Sequence, residues 1–225
     1  MCLMSKFIHA DRAIQHLHKG NARFIAKDFI GAINEYSNVI AIIPFSFLAF
    51  YNRGLARTNL HNYEDGILDI RKAIAINPNH IKAYNQLAML SVKLNNYQEA
   101  IHAFSKILTL RPMDANIYNM RGQCKTKLNN FEKAIKDFTK AIEINPSDAL
   151  AYNKRAECKR EINDCQGALE DLTKAISINP EYKEALRNRG SLKFYLFRFN
   201  HGFNDWDKAS KLGDGAAKIL LQKYQ

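Results

Sequence analysis

The sequence has few cysteines and prolines and no long apolar run. Its four cysteines form no CxxC pair and no Cys/His spacing suited to zinc, which argues against a disulfide framework and a metal ribbon. No apolar run approaches the roughly 18 residues of a transmembrane helix. Charged and polar residues such as Lys6, Asp11 and Arg12 interrupt the stretch where a signal peptide has its apolar core. We therefore predict a cytoplasmic protein with reduced thiols and no membrane partner.

Catalytic motifs are missing as well. The chain contains no GxGxxG, P-loop or GxSxG sequence, and its seven histidines include no pair in metal-ligand spacing beside a carboxylate. This predicts a protein that is not an enzyme and binds no cofactor and no metal. The composition, 47% apolar and 24% charged, is typical of a globular protein, and the net charge of +11 favours acidic partners in general.

The prolines carry the organising signal, because all five stand 34 residues apart. They are Pro44, Pro78, Pro112, Pro146 and Pro180. A fixed period of this length is typical of repeat architectures. Alignment on the prolines predicts an N-terminal segment, six repeats and a C-terminal remainder. Their bounds are 1–12 for the segment, 13–46, 47–80, 81–114, 115–148, 149–182 and 183–216 for the repeats, and 217–225 for the remainder.

The residue pattern within each repeat predicts two helices. Small residues occupy its eighth and twentieth places, and larger side chains stand four places before the first and four places after the second. This spacing predicts two helices whose backbones approach closely where the small residues meet. Between the helices, Asn95, Asn129 and Asn163 tolerate the left-handed conformation that ends a helix. Each following proline forces the residue before it out of the helical region.

These residues resemble the tetratricopeptide repeat (TPR) family over six repeats. In the third repeat the family's signature places hold Ala83-Tyr84, Leu87-Ala88, Tyr97, Ala100-Ile101, Phe104 and Pro112. The resemblance implies an all-α fold, a right-handed superhelix of six helix pairs whose first helices line a concave groove. It also implies a scaffold that binds a peptide or protein segment in that groove. The segment after Gly213-Asp214 is expected to be a capping helix.

Two places of the repeat vary together. Four repeats have arginine at the seventh place and aspartate at the twenty-third, whereas repeat three has Leu87 and Ala103. Joint presence and joint loss predict a partly buried ion pair across each helix pair. An arginine row that binds ligand acids is the alternative. The four pairs are Arg53 with Asp69, Arg121 with Asp137, Arg155 with Asp171, and Arg189 with Asp205.

The TPR arrangement turns six places of each first helix toward the groove, and these places supply the candidate binding residues. They are Leu48, Tyr51, Asn52, Leu55, Lys82, Asn85, Met89, Asn119, Gln123, Asn153, Lys154 and Glu157. The first two repeats give an apolar floor, so we expect an apolar anchor of the partner near Leu48, Tyr51 and Leu55.

A ladder of asparagines follows on the same predicted floor. Asn85, Asn119 and Asn153 recur every 34 residues. An amide side chain donates and accepts at once, so such a ladder can hold the backbone of an extended peptide. Solvated asparagines on a helix surface are the alternative.

A chaperone-type site is incomplete. A subset of TPR domains binds the C-terminal carboxylate of cytosolic heat-shock chaperones with five polar residues. At the matching places this chain supplies Asn21, Asn52 and Lys82, but it has Leu17 in place of a lysine and Gln86 in place of an arginine. We do not expect a working clamp.

Two other kinds of partner stay open. Nucleic acid, which we consider less favoured because exposed interleaved aromatics are not evident, would use a basic arc near the C-terminus. A homo-oligomer would use the apolar stretch at 42–48. The basic arc consists of Lys183, Arg187, Arg189, Lys193, Arg198, Lys208, Lys211, Lys218 and Lys223.

Three of the cysteines can be interpreted from the residues that the other repeats have at the same place. Cys124 and Cys158 share a column of small and aliphatic residues, which predicts burial rather than nucleophilic reactivity. Cys165 occupies a column that otherwise holds only aromatic residues, so either the site has repacked or a void lies beside the thiol. The aromatic members of that column are Phe29, Tyr63, Tyr97, Phe131 and Phe199.

Overall fold

The computed structural model describes residues 2–197 and 201–224, with side chains described from residue 9 onward. Within these ranges all regular secondary structure is α-helical, which confirms the predicted all-α fold. The chain forms two compact units, an N-terminal unit at Met1–Leu110 and a C-terminal unit at Arg111–Gln225. None of the described helices is long and apolar enough to cross a membrane.

In the N-terminal unit, the described residues form six helices, each packed on the next along the chain. The N-terminal segment expected at 1–12 is continuous with the first helix. The helices are α1 (Cys2–Ile25), α2 (Phe29–Ile42), α3 (Phe47–Asn59), α4 (Tyr63–Ile76), α5 (Ile81–Lys93) and α6 (Tyr97–Leu110).

In the C-terminal unit, the described residues form seven helices with the same sequential packing. The last of them packs on α12 and places Ala217 and Leu221 in the core beside Trp206. The helices are α7 (Ala115–Lys127), α8 (Phe131–Ile144), α9 (Ala149–Glu161), α10 (Cys165–Ile178), α11 (Lys183–Phe197), α12 (Phe203–Lys211) and α13 (Gly215–Tyr224).

The turn inside each of the first five helix pairs has one residue in the left-handed region. Asn95, Asn129 and Asn163 have φ values of 57°, 56° and 64°, which confirms their predicted conformation. Lys27 and His61 adopt the same conformation at 62° and 61°. The geometry of the repeat therefore requires this turn even where the residue does not favour it.

The asparagine before each of three prolines ends a second helix, as predicted. Asn77 has φ −128° and ψ 87°, Asn145 has −130° and 89°, and Asn179 has −128° and 95°, all outside the helical region. Two of the first helices that follow are capped by a side chain that accepts a backbone N–H. His80 and Asp148 do this at α5 and α9, and Ser46 does so at α3.

Small residues bring the paired backbones together, as predicted. A Cβ atom on Gly54 would lie 3.1 Å from the Gly66 carbonyl oxygen, so the two backbones pass in close contact. A Cβ atom on Gly190 would lie 2.6 Å from Cδ1 of Trp206 and 2.9 Å from the Gly202 carbonyl oxygen. Side chains larger than these would force the helices of a pair apart.

The four predicted ion pairs are confirmed. In each pair the aspartate is buried and the arginine binds it through Nε and Nη2, so the arginines do not form a row open to ligand acids. The Nη2–Oδ1 distances are 2.8 Å for Arg53–Asp69, 2.7 Å for Arg121–Asp137, 2.6 Å for Arg155–Asp171 and 2.7 Å for Arg189–Asp205.

A second cation completes each of these pairs. It stands four residues after the arginine and contacts the same aspartate, so every buried carboxylate has two positive partners. These cations are Arg57, Lys125, Lys159 and Lys193, at 2.7, 2.7, 2.9 and 3.0 Å from the carboxylate oxygen. Repeat three has Ser91 at this place, so it lacks all three members of the group.

Candidate functional site

The N-terminal unit contains a pocket of about 270 Å³ formed by side chains of its first three helices. Its walls are apolar, and Ile25 is 82% exposed to solvent. Tyr36 is buried and brings a hydroxyl to the same pocket. The pocket can therefore receive an apolar side chain. Its lining residues are Asn21, Phe24 and Ile25 from α1, Tyr36 from α2, and Asn52 and Leu55 from α3.

The polar groups of this pocket bind one another. The Tyr36 hydroxyl donates to Asn21 Oδ1 at 2.9 Å, and Asn52 Nδ2 donates to the same oxygen at 3.1 Å. Burial raises the pKa of Tyr36 to about 12, so the phenol stays protonated as a donor near neutral pH. Asn21 and Asn52, two of the residues that match the chaperone-type site, are thus engaged within the protein.

Several predicted groove residues of the N-terminal unit are accessible. Leu48 is 51% exposed and Met89 is 49% exposed. Lys82 is exposed and Asn85 is half-buried. Asn52 and Leu55 are the two predicted residues that line the pocket.

Tyr51, the predicted centre of the apolar anchor, belongs to an aromatic group. Its ring stacks on Phe47 with centroids 5.7 Å apart and lies 5.4 Å from the ring of His80. Burial raises the pKa of Tyr51. Because these contacts also hold α3 against the start of α5, a change at Tyr51 affects packing as well as the groove surface.

The C-terminal unit presents a larger, polar concavity of about 450 Å³. Three predicted residues, Gln123, Lys154 and Glu157, line it, and charges of both signs surround them. The concavity therefore suits a polar segment. Its lining residues are Gln123, Thr126, Lys127, Asn129, Phe131, Lys154, Glu157, Arg160 and Glu161.

Lys154 joins two carboxylates at this concavity. Its Nζ atom lies 3.1 Å from both Glu157 oxygens and 2.9 Å from Glu184 Oε1. Burial raises the pKa of Glu157 despite the ammonium group beside it. Burial acts in the same sense on Glu184, but the hydrogen bond and positive charge of Lys154, together with contributions from Glu157 and Arg187, outweigh it and lower the pKa of that carboxyl. The pKa values of the two carboxyls are thus shifted in opposite directions.

Two ladder asparagines are not on the surface, which corrects their predicted exposure. Asn119 is 5% exposed and donates to Asp148, the capping residue of α9, at 2.6 Å. Asn153 is fully buried, donates to Glu157 at 3.1 Å and accepts from Asn188 at 3.1 Å. Asn119 thus bonds the residue that caps the next first helix, and Asn153 bonds a residue on the next first helix, so a peptide cannot reach either amide without moving that helix.

The cysteines follow the sequence predictions. Cys124 and Cys158 are buried, and burial raises the pKa of Cys124 to about 11 and raises that of Cys158 as well, so neither is a ready nucleophile. Cys165 packs against the core of the C-terminal unit and also borders an open cavity of about 290 Å³, so there is space beside the thiol.

The C-terminal basic arc is partly neutralised. Arg187 contacts Asp214 at 2.7 Å and Lys211 contacts Asp207 at 2.6 Å. Arg189 and Lys193 both bind Asp205, as described above, and Arg198 lies outside the described residues. Within the residues described, no cluster of three or more side chains suits a metal ion.

Comparisons with known proteins agree with this helix-pair architecture. Models of the tetratricopeptide repeat match residues 48–80, 70–102 and 115–148. The chain belongs to the tetratricopeptide repeat family. Solved TPR-like structures include MamA, with a TM-score of 0.69 and 21% identity over 76% of this chain and 94% of that one. YrrB, described as a TPR protein with an unusual peptide-binding site, has a TM-score of 0.68 and 20% identity over 84% and 97% of the two chains.

Curated relatives resemble one part of this TPR chain. Hsp70-Hsp90 organizing protein 1 of Arabidopsis thaliana is 41% identical over 51 residues, and the protein of the same name from Glycine max is 39% identical over 51 residues. The match covers 23% of this chain and 9% of each relative, so most of each relative has no counterpart here.

Proposed function

We propose that this TPR protein is a non-catalytic interaction scaffold that binds a peptide or protein segment, with an apolar side chain of the partner seated in the pocket of the N-terminal unit. The observation that carries the proposal is the pocket itself. Its Tyr36 hydroxyl and its Asn52 amide both donate to Asn21 Oδ1, whereas its apolar wall ends in Ile25, which is 82% exposed. Covering such a surface contributes about 1.5 to 3 kcal/mol for one buried apolar side chain.

The comparisons support an interaction role. One relative is named as an Hsp70-Hsp90 organizing protein, and YrrB is described as having a peptide-binding site. We do not extend the heat-shock partners themselves to this chain, because Leu17 and Gln86 replace two of the charged residues that the chaperone-type site needs.

The proposed contact surface extends beyond the pocket. Leu48, Tyr51 and Met89 contribute apolar contacts in the N-terminal unit, and Lys82 and Asn85 contribute polar ones. In the C-terminal unit, Gln123, Lys154 and Glu157 form a separate polar surface. Asn119 and Asn153 are left out because their amides are buried.

A peptide selection tests the proposal. A phage-displayed library selected on the parent protein supplies a peptide, whose affinity is then measured by calorimetry for two matched variants. Ile25→Ser removes an exposed wall of the pocket, whereas Ile30→Ser makes the same change at a residue that is 66% exposed on α2, outside the pocket lining. We expect Ile25→Ser to weaken binding roughly tenfold, equivalent to about 1.4 kcal/mol, and Ile30→Ser to change it little.

A variant on the outer surface serves as a second control and defines the outcome that would contradict the proposal. Lys136 is exposed on α8, and its reversal in Lys136→Glu should leave peptide affinity nearly unchanged. If Lys136→Glu abolishes binding while Ile25→Ser and Tyr51→Ala bind normally, the pocket is not the site. A steep loss of binding with added salt would instead favour an acidic or nucleic-acid partner on the basic surface.

A further inference from the structure

The cavity beside Cys165 interrupts a regular feature of the repeats. The seventeenth place opens each second helix with an aromatic ring in repeats one to four, but with Cys165 in repeat five. The cavity of about 290 Å³ at this place lies within the C-terminal unit. Its lining residues are Arg160, Asn163, Cys165, Ser191, Leu192 and Tyr195.

The rings of other repeats show what normally fills this space. Phe131 packs against a cluster that includes Cys158, the residue at the tenth place of the next repeat. Phe29 packs in the same way against a cluster that includes Ala56. Leu192 is the corresponding tenth-place residue at the Cys165 cavity. In these two repeats a ring therefore packs against the residue that matches Leu192, which here is buried and lines the cavity.

Leu192 is larger than Ala56 or Cys158, but it does not exclude a ring. Tyr63 of repeat two and Leu90 of repeat three occupy the equivalent two places, so one pair of neighbouring repeats in this chain already combines both residues. The cysteine, rather than the leucine, is the reason that the space stays open.

Where the ring belongs to a tyrosine, the turn residue two places before it adds a polar contact. The Tyr97 hydroxyl donates to Asn95 Oδ1 at 2.7 Å, and the Tyr63 hydroxyl lies 2.6 Å from His61 Nδ1. Asn163 stands at the same left-handed turn position with φ 64° and lines the cavity. Across residues 2–197 and 201–224, the structure shows no hydrogen bond made by the Asn163 side chain.

We propose that this cavity binds the phenol ring of a tyrosine side chain carried by a partner. The ring would rest on Leu192 and Cys165, and its hydroxyl would donate to the Asn163 carboxamide as Tyr97 donates to Asn95. Arg160 supplies a cation at the cavity wall for the face of the ring. The site is separate from the apolar pocket of the N-terminal unit, so either proposal can fail without the other.

Two small probes test the site on the full chain. p-Cresol reproduces the tyrosine side chain, and toluene is the same molecule without its hydroxyl. Binding is measured from shifts of the backbone amide resonances of Asn163, Cys165 and Leu192. We expect p-cresol to bind at least fivefold more tightly than toluene, because toluene leaves Asn163 without a donor.

Three variants assign the contacts. Cys165→Tyr should fill the cavity from within, raise the melting temperature and abolish p-cresol binding. Asn163→Gly keeps the left-handed turn but removes the amide, so p-cresol and toluene should then bind equally. Asn129→Gly is the matched control, because it makes the same change at a turn where Phe131 already occupies the ring position.

The proposal is overturned if p-cresol does not shift these resonances in the parent protein. It is also overturned if toluene binds the parent as tightly as p-cresol, or if Asn163→Gly retains the preference for p-cresol. Unchanged p-cresol binding by a folded Cys165→Tyr variant would place the probe elsewhere and would likewise contradict the assignment.

Discussion

Asp137 accepts two hydrogen bonds from Arg121, at 2.9 Å from Nε and 2.7 Å from Nη2, and Lys125 lies 2.7 Å from the same carboxylate. The aspartate is 3% exposed, so its charge depends on these partners. Repeat three has Leu87 and Ala103, both buried, at the places of Arg121 and Asp137. The same helix-pair contact is therefore formed by charged residues in one repeat of this chain and by apolar residues in another.

A double-mutant cycle should show that Arg121 and Asp137 act as a pair. Asp137→Ala takes the shared carboxylate away from Arg121 and Lys125, and Arg121→Leu leaves that buried carboxylate with Lys125 as its cation. We therefore expect Asp137→Ala to lower the free energy of unfolding by about 3 kcal/mol and Arg121→Leu to lower it by a smaller amount. The double variant has the residues of repeat three at these two places but keeps Lys125, and it should be more stable than the sum of the two losses predicts, by at least about 1 kcal/mol. Urea melts measure this. Additive losses would show that the pair does not interact.

Close packing at Gly190 should make it intolerant of a methyl group. Because Trp206 is fixed by Phe194 and Tyr224, with ring centroids 5.2 and 6.0 Å away, it cannot easily yield to a new Cβ atom. We expect Gly190→Ala to destabilise the protein by about 1 to 3 kcal/mol. Gly215→Ala is the control, because a Cβ atom there meets nothing within 4 Å. Equal melting temperatures for the two variants would contradict this account.

His80 should be replaceable by another capping residue but not by alanine. Its Nδ1 accepts the backbone N–H of Ala83 at 3.2 Å, and Asp114 and Asp148 cap the corresponding helices of later repeats. His80→Asp and His80→Ala both lose the ring contact with Phe47, and the aspartate alone restores the cap. We therefore expect His80→Asp to be more stable than His80→Ala by about 1 kcal/mol in thermal melts. The reverse order would assign the role of His80 to its ring alone.

Glu157 should make stability depend on pH in a defined direction. Burial raises the pKa of this carboxyl in the folded state, whereas in the unfolded chain it returns to about 4.3. The stabilising contribution of the protonated form is therefore complete below about pH 4 and is lost as the pH rises through the raised folded value.

Glu157→Gln tests that direction. The stability of the glutamine variant relative to the parent should increase between pH 4 and pH 7, as measured by urea melts at several pH values. Glu161→Gln, at an exposed carboxylate on the same helix, provides the comparison. A parent and a Glu157→Gln variant with parallel pH profiles would show that Glu157 does not titrate in this window.

The fold was predictable because its determinants lie within one 34-residue period. The sequence alone shows the proline spacing and the small residues at the eighth and twentieth places of each repeat. It also shows that repeat three loses the arginine and the aspartate together, at Leu87 and Ala103. The second cations were missed, although the same four repeats carry Arg or Lys at the eleventh place. The presence of a cation at the eleventh place in the repeats that carry the ion pair is the signal from which these second cations could have been predicted.

The candidate site was less predictable, because exposure depends on what the next repeat places over a helix. Helical periodicity puts Asn119 and Asn153 on the groove side of their helices, but it does not show that Asp148 and Asn188 cover them. Tyr36 was missed for a related reason. It lies on a second helix, and only the gap left between α1 and α3 brings its hydroxyl into a pocket lined by first-helix residues.

The left-handed turn at Lys27 leaves room for improvement that the chain does not use. A side chain other than glycine or asparagine in this conformation costs roughly 1 to 2 kcal/mol, and Lys27 is exposed, with no packing role that demands lysine. Lys27→Asn should therefore raise the melting temperature, while Asn95→Lys should lower it. One exposed turn residue thus lowers the stability of the first helix pair, and Lys27→Asn can raise it without a change in the core or in any proposed binding surface.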